Sequence, residues 1–369
     1  MKVIPVRTNK EYKEFVTFPY KHYQSEPRWI APIRSEQKKL FSPKYNLTLR
    51  NCPHQLFLLK NRSDVIGRVL TFINPSAIKH WKKKIGFFGC FECICDQQAA
   101  NSLLSSCTHW LRSHDMETMR GPDNLESQDL GFIYEGFDIP PVILSSWNYE
   151  YYNQLVENFG MFKAKDLLVY HVDVREGYTF PERFLTFTGN IARRYNVTIR
   201  MLDMKNLQDE VKLMIQIFNA ALVDNWDYYP IDESEAEPLV RALKPIVDPR
   251  VIHFAYSGDR PIGVSITLPD INVLLKNLNG RLFPTGIFRL LTGMKKIRHY
   301  RMWALGVIPE FHRKGIDVLL YKKLYDELYH RQVRVEANHV LEDNHLMNAA
   351  LRKMNFKMSK IYRMYEINL

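Results

Sequence analysis

Apolar residues recur along the chain with two periods, one suited to strands and one to helices. Gln55–Lys60, Val65–Ile73 and Gly86–Cys95 are short apolar runs bounded by polar turns, as buried strands are. Other stretches repeat apolar residues three and four apart. In Lys314–His330, Ile316, Leu319, Leu320, Leu324 and Leu328 share one helix face, with Lys322, Lys323, Asp326 and Glu327 opposite. The first part of the chain thus predicts helices near Lys10–Tyr20 and Arg34–Leu40, the three strands above, a helix over Gln97–His114, and a closing helix (Tyr149–Phe159) and strand (Asp166–Val172). The second predicts helices at Pro181–Tyr195, Leu207–Leu222 and Glu233–Leu243 and strands at Val197–Asp203, Val251–Tyr256, Ile262–Leu268 and Tyr300–Val307. After the helix Lys314–His330 come a strand (Val333–Leu341), a helix (Asn344–Lys353) and a strand (Lys360–Ile367). Each half reads as mixed α+β around one sheet.

The order of elements repeats. Asn61–Asn74 and Tyr256–Asn272 are each a loop and a strand carrying Ile-Gly, at Ile66–Gly67 and Ile262–Gly263, offset by 196 residues. Asn148–Val172 and Asn344–Ile367 are each helix, turn and strand, with Phe162–Lys163 and Phe356–Lys357 offset by 194. Duplicated halves follow, 1–175 and 176–369, meeting near Arg175–Thr179. The first half carries an extra Pro-, Gly- and Asn-containing stretch, 121–141, read as an ordered loop; the second carries Val273–His299 between its hairpin and its long strand.

Charge adds a bias. The net charge is +11. Residues 1–100 hold 18 Lys/Arg against 7 Asp/Glu, and Arg281–Arg334 hold 12 against 4. Such faces are either solvated or suited to phosphates, an anionic cofactor or an acidic membrane surface. Without a zinc ribbon, an RNP-type strand or an Arg-rich tract, nucleic acid is not expected. No apolar run reaches the ~18 residues of a membrane span, and the opening residues, rich in both charges, read as neither secretory signal nor transit peptide. The expectation is a cytoplasmic protein with its five cysteines reduced. Cys90 and Cys93 followed by His109 and His114 match a zinc-finger spacing. However, the cysteines sit on one apolar strand with no knuckle between them, so no metal is expected.

Candidate chemistry gathers in the second half. Val307–Leu324 is a strand end, a basic turn with one glycine and a helix. A helix N-terminus offers unpaired N–H groups to phosphate, Arg313 and Lys314 add charge, and Gly315 permits close approach. The same residues also suit a plain strand-to-helix turn. Asp224, Asn225, Trp226, Tyr228 and Tyr229 form an aromatic loop fit either for a substrate wall or for structural docking. In Leu278–Met302, Phe288, Leu290, Leu291 and Met294 make an apolar face followed by Lys295, Lys296, Arg298 and Arg301. That pattern suits an interfacial helix, a lid, or a helix packed on the core.

The order hairpin, long strand, basic glycine turn, helix, strand, helix, strand resembles the GNAT acyltransferase superfamily, whose turn reads [Arg/Gln]-x-x-Gly-x-[Gly/Ala]. Here Gly315 matches, while His312 and Asp317 stand at the flanking positions. Over nearly the whole chain, "GFFGCFE", "MRGPDN", "EGFDIPP", "DNWDYYP", "LPDIN", "KGID" and "VLEDN" resemble a family of large bacterial GNAT-related proteins with two GNAT-like halves, in which Asp after Lys-Gly-Ile is usual. The resemblance implies two tandem GNAT-like domains, each a mostly antiparallel sheet flanked by helices, the first lacking a pyrophosphate loop. It implies acetyl-CoA or a longer acyl-CoA held by Leu305, Gly306, Val307, His312, Arg313, Lys314, Gly315, Ile316, Asp317 and Asn344. Glu336 and Glu342 are the carboxylates expected to serve as bases, and no Tyr occupies the last helix, where many GNAT enzymes keep an acid. Three readings stay open: transfer of an acyl group to a small amine, transfer to a long-chain or sphingoid-base amine at a membrane surface, and a non-catalytic binding protein on the same fold.

Overall fold

The structure, a computed structural model, describes residues 1–125, 129–283 and 285–369. The 121–141 loop is thus described apart from 126–128, and the 273–299 insertion apart from 284. Thirteen strands occur among the described residues: β1 (Lys2–Pro5), β2 (His54–Asn61), β3 (Asp64–Phe72), β4 (Ile85–Cys93), β5 (Thr118–Gly121), β6 (Phe132–Glu135), β7 (Phe162–Asp173), β8 (Val197–Met201), β9 (Ile252–Ser257), β10 (Arg260–Pro269), β11 (His299–Val307), β12 (Arg334–Leu341) and β13 (Lys357–Asn368). Runs with the strand period became strands and runs with the helix period became helices, within a few residues at each end. β1, β5 and β6 were not foreseen, because four residues are too few for a period to show. The helix Pro75–Trp81 was missed too. It starts where Asn74 accepts from the Ser76 and Ala77 amides at 3.0 and 3.2 Å, with Pro75 at its first position.

The chain forms two compact units: Met1–Leu167 with Leu274–Leu291 and Lys360–Leu369, and Leu168–Val273 with Thr292–Ser359. In the first, the strand order is β1-β2-β3-β4-β5-β13, with β6 also on β13. In the second it is β8-β9-β10-β11-β12-β7. The two orders match strand for strand. Each has a parallel pair in the same place, β4 with β5 and β11 with β12, preceded by antiparallel pairs. Each unit also takes its sixth strand from the other half of the sequence. This is the expected α+β architecture built twice.

The first unit's core joins Phe15, Phe41, Leu58, Leu70, Phe72 and Phe87. The helix Gln97–Arg112 buries Leu103, Leu104, Cys107 and Leu111, with Leu103 against Gly67 and Leu111 against Gly86. In the second unit the helix Ile316–Leu328 buries Ile316, Leu319, Leu320, Leu324 and Leu328, the face that periodicity assigned. Among the described residues no helix is long and apolar enough to cross a membrane.

The borrowed strand carries much of the first unit's stability. Tyr362, Met364 and Tyr365 of β13 are buried, and the Tyr365 hydroxyl lies 2.9 Å from both Asn153 Oδ1 and Glu157 Oε1. Tyr362→Ala is expected to lower stability by about 3–5 kcal/mol in urea titration. Amide exchange should then quicken in β5 and β6. Unchanged exchange there would mean that β13 is not integral to the first unit.

Candidate functional site

The parallel pairing of β11 with β12 runs only from His299 opposite Arg334 to Met302 opposite Ala337. At that point the register of β11 against β10 slips, so that Trp303 is an extra residue. A bulge bends its strand and re-aims the residues beyond it. The two strands part, and Trp303–Val307 and Asn338–Leu341 become the walls of a fork. Orientation along β11 follows from one bond: Ile308 N–H donates to the Ile262 carbonyl at 2.9 Å. By antiparallel alternation Gly306 also faces β10, and the N–H and C=O groups of Leu305 and Val307 turn into the fork.

The turn beyond β11 is pinned to it. The His312 side chain donates through Nε2 to the Val307 carbonyl at 2.7 Å. Arg313 and Gly315 both take left-handed backbone angles, φ 59° and 77°. Such a turn before a helix aims successive N–H groups into one concavity, a geometry that suits an anion. His312 and Arg313 are exposed, whereas the Lys314 ammonium sits 4.5 Å from the Phe311 ring centre and 5.2 Å from that of Tyr195. Gly315 has a second reason to be glycine. A Cβ there would fall 2.5 Å from Ile191 and 3.0 Å from Phe187, so the turn packs on the helix Arg183–Arg194. Burial pushes the Asp317 carboxyl above the usual range, against the pull of the Val318 and Asp317 amides. The residues therefore fit a phosphate, with Arg313 the exposed cation.

The aromatic loop follows a helix that packs on β11. The helix Leu207–Ala221 closes on the fork wall: a Cβ at Gly306 would come within 3.0 Å of Phe218 and 3.1 Å of Ala221. The loop 224–229 begins a few residues on. Asn219 holds it, accepting from the Tyr228 hydroxyl at 2.6 Å and donating to the Ile231 carbonyl at 2.9 Å. Asn225, Trp226, Tyr228 and Tyr229 are half-buried and Asp224 is exposed.

At the β12 wall the expected residues divide. Glu336 is buried and accepts from Asn338 Nδ2 at 3.1 Å. Asn338 Oδ1 in turn accepts from Arg301 Nε at 2.6 Å. Arg301 is fully buried opposite Glu336, which removes it from the exposed basic cluster expected of Leu278–Met302. The signal was its place within the predicted strand Tyr300–Val307, which is covered on both faces here: Tyr300, Arg301 and Met302 are all buried. Glu342, at the exit of β12, is half-buried. Asn344 caps the last helix, accepting from the Met347 amide at 3.1 Å. That helix has no Tyr of its own, but the Tyr170 hydroxyl donates to Asn348 Oδ1 at 2.9 Å and Tyr321 points its hydroxyl at Met347 Sδ, 3.0 Å away. Burial, then the charge of Arg334, holds His171 below the usual imidazole range. His299 is lowered by burial, then by Arg175 and Arg334.

The first unit has the same fork, closed by its own chain. β4 and β5 pair only from Ile85–Thr118 to Phe87–Arg120, and β4 bulges at Cys90–Phe91 against β3. The loop after β5 then fills the gap: Asp123 N–H donates to the Phe88 carbonyl at 2.9 Å, and Cys90 N–H donates to Asn124 Oδ1 at 2.6 Å. A Cβ at Gly89 would fall 1.7 Å from the Asp123 carbonyl oxygen. Cys93 N–H donates to the Tyr152 hydroxyl at 3.2 Å. Asp96 caps the following helix through the Ala99 amide at 2.7 Å, which sets a carboxylate where a phosphate would lie.

Comparison with known proteins places this geometry in a family. No family model matches the chain. Protein YghO of Escherichia coli is 30% identical over 364 residues, 96% of this chain and 92% of the relative. A bacterial ceramide synthase of Caulobacter vibrioides is 30% identical over 382 residues, 99% of this chain and 97% of the relative. The chain belongs to their family of GNAT-related proteins. A solved tandem GNAT protein from the clavulanic acid biosynthesis pathway superposes with a TM-score of 0.58 at 11% identity, over 100% of this chain and 98% of its own. A probable N-acyltransferase from Enterococcus faecalis gives 0.53 at 8% identity, over 99% and 71%. Both share the GNAT fold, and the tandem arrangement expected from the repeat is thereby found.

Two outcomes follow for this GNAT pair of units. Asn338→Leu leaves the Arg301 and Glu336 groups facing it unsatisfied and should lower stability by about 1–3 kcal/mol in urea titration. His253 is fully buried, and burial holds its pKa down to about 4 from 6.5. As pH falls, the unfolded chain takes this proton first. Native stability therefore drops between about pH 6.5 and 4, by up to about 3 kcal/mol. His253→Phe should flatten that part of the stability–pH curve; an unchanged slope would assign it to other groups.

Proposed function

We propose that the chain is an acyl-CoA-dependent N-acyltransferase acting in the fork of the second unit. The observation that carries this reading is the fork itself, with the Leu305 and Val307 N–H groups turned into it and an anion-suited turn at its end. Acyl-CoA supplies an activated thioester. The Leu305 and Val307 amides are donors for the oxygen on which charge develops during attack by an amine. Arg313 and the first amides of the helix Ile316–Leu328 hold phosphate, while His312 braces the turn through Val307. Trp226 and Tyr229 form the acceptor's wall. The C–N bond to the acyl carbon forms as its C–S bond breaks, and the sulfur leaves as a thiolate that takes a proton from solvent. Glu342, partly open to solvent, takes the ammonium proton, and Glu336 works through Asn338 as a positioning residue.

A second reading narrows the acceptor. The Caulobacter vibrioides relative is a ceramide synthase, and similarity to it extends over nearly all of this chain. On that ground the acceptor is the amine of a long-chain base and the donor a long-chain acyl-CoA.

Thermal shift with CoA, acetyl-CoA and palmitoyl-CoA tests both readings. Stabilisation by palmitoyl-CoA beyond acetyl-CoA supports the long-chain reading; equal shifts support a small amine and a short acyl group. Arg313→Glu, exposed and outside the core, should weaken CoA binding about tenfold, the effect of losing about 1.4 kcal/mol. No shift with any of the three would sink the enzyme reading and leave a binding protein on a GNAT fold. Gly315→Trp is a poorer test, since it strikes Ile191 and Phe187 first.

A further inference from the structure

The segment Leu274–Leu291 belongs to the first unit and is anchored there at its base. Gly280, at φ +69°, lies so close to the chain beneath it that a Cβ would fall 2.3 Å from the Pro32 carbonyl oxygen. Arg34 donates through Nε to the Asn279 carbonyl at 3.0 Å, and its backbone N–H donates to the Gly280 carbonyl at 3.0 Å. Its guanidinium also stacks 4.0 Å from the Tyr20 ring centre. From this fixed base the chain enters the helix Thr285–Gly293. Ile287 and Leu290 are half-buried, so the inward face of the helix is already packed.

Its outward face is apolar as well. Phe283, Phe288 and Leu291 are 80%, 69% and 73% exposed, the three most exposed large hydrophobic residues among those described. Single exposed apolar residues are ordinary, but three on one short projection mark a contact surface. The charge around them is of one sign. No Asp or Glu occurs between Asp270 and Glu310, and within the same unit Lys276, Arg281 and Arg289 are all exposed. Of the apolar face expected from the sequence, Phe288 and Leu291 point outward, and Leu290 and Met294 are half-buried.

The two features together select the partner. A neutral protein surface would match the apolar tip and leave the cations unanswered; a nucleic acid would do the reverse. The boundary of an anionic bilayer answers both, taking apolar side chains below the headgroups and cations among them. We propose that this projection seats the protein on an anionic lipid surface. Phe283, Phe288 and Leu291 enter the bilayer, and the surrounding lysines and arginines rest on acidic headgroups. The inference does not depend on the reading of the fork.

Vesicle co-sedimentation of the full chain tests it. The protein should pellet with phosphatidylcholine vesicles containing phosphatidylglycerol, not with phosphatidylcholine alone, and high salt should weaken binding. The triple variant Phe283→Ser/Phe288→Ser/Leu291→Ser should lose pelleting while keeping its melting temperature, because all three side chains are exposed. Lys276→Glu/Arg281→Glu should reduce it several-fold. The proposal fails if the wild type stays in the supernatant, or if the triple variant pellets as well as the wild type. It also fails if light scattering finds instead a dimer that the triple variant dissolves, with no vesicle binding.

Discussion

Pairing between β11 and β12 stops after four residues, and the second unit is arranged around that stop. The bulge at Trp303 turns the end of β11 away from β12, which frees the backbone of Leu305 and Val307 from sheet pairing on one side. Polar backbone groups in a half-closed gap must find partners. His312 meets one of them, the Val307 carbonyl, and by doing so fixes the basic turn at the mouth of the gap. The Arg301–Asn338–Glu336 chain lies where the strands part. A buried ion chain of this kind adds little net stability, since desolvation offsets attraction, but it permits few alternative arrangements. Its effect is therefore on geometry: the angle at which the strands open is held by groups that cannot move without losing their partners.

The first unit has the same opening and reaches the opposite result. Asp123 and Asn124 turn back over Gly89 and Cys90, and Tyr152 meets Cys93. Donors that one copy keeps directed into a gap are satisfied in the other by side chains of the same chain. The same arrangement thus occurs twice, once closed and once open. The difference rests on a handful of residues rather than on topology.

Much of this was legible in the sequence. The apolar run of Val65–Ile73, bounded by polar turns, and the helical stripe of Ile316–Leu328 indicated element types because both patterns ran long enough to be counted. The resemblance carried by "MRGPDN" and "VLEDN" pointed to a duplicated GNAT fold. The four-residue strands were hidden by their length. Arg301 was misplaced because a run of basic residues looks solvated until one asks which of them lies on a strand. The close packing of Gly315 on Phe187 and Ile191 could not be read at all, since it joins elements more than a hundred residues apart. Nor could the sequence say that the "MRGPDN" loop fills the first fork, although both parts were identified.

The exchange of closing strands has a consequence for how the protein is made. The first unit includes Lys360–Leu369, which follow the whole of the second unit's sequence. Its other strands emerge from the ribosome more than two hundred residues earlier, yet β5 has no neighbour on that side until β13 has been made. An unpaired strand next to a hydrophobic core is a site for wrong pairing. During synthesis the nascent chain must keep that edge covered or wait with it open, so the first unit is completed only after the residues of the second have been made.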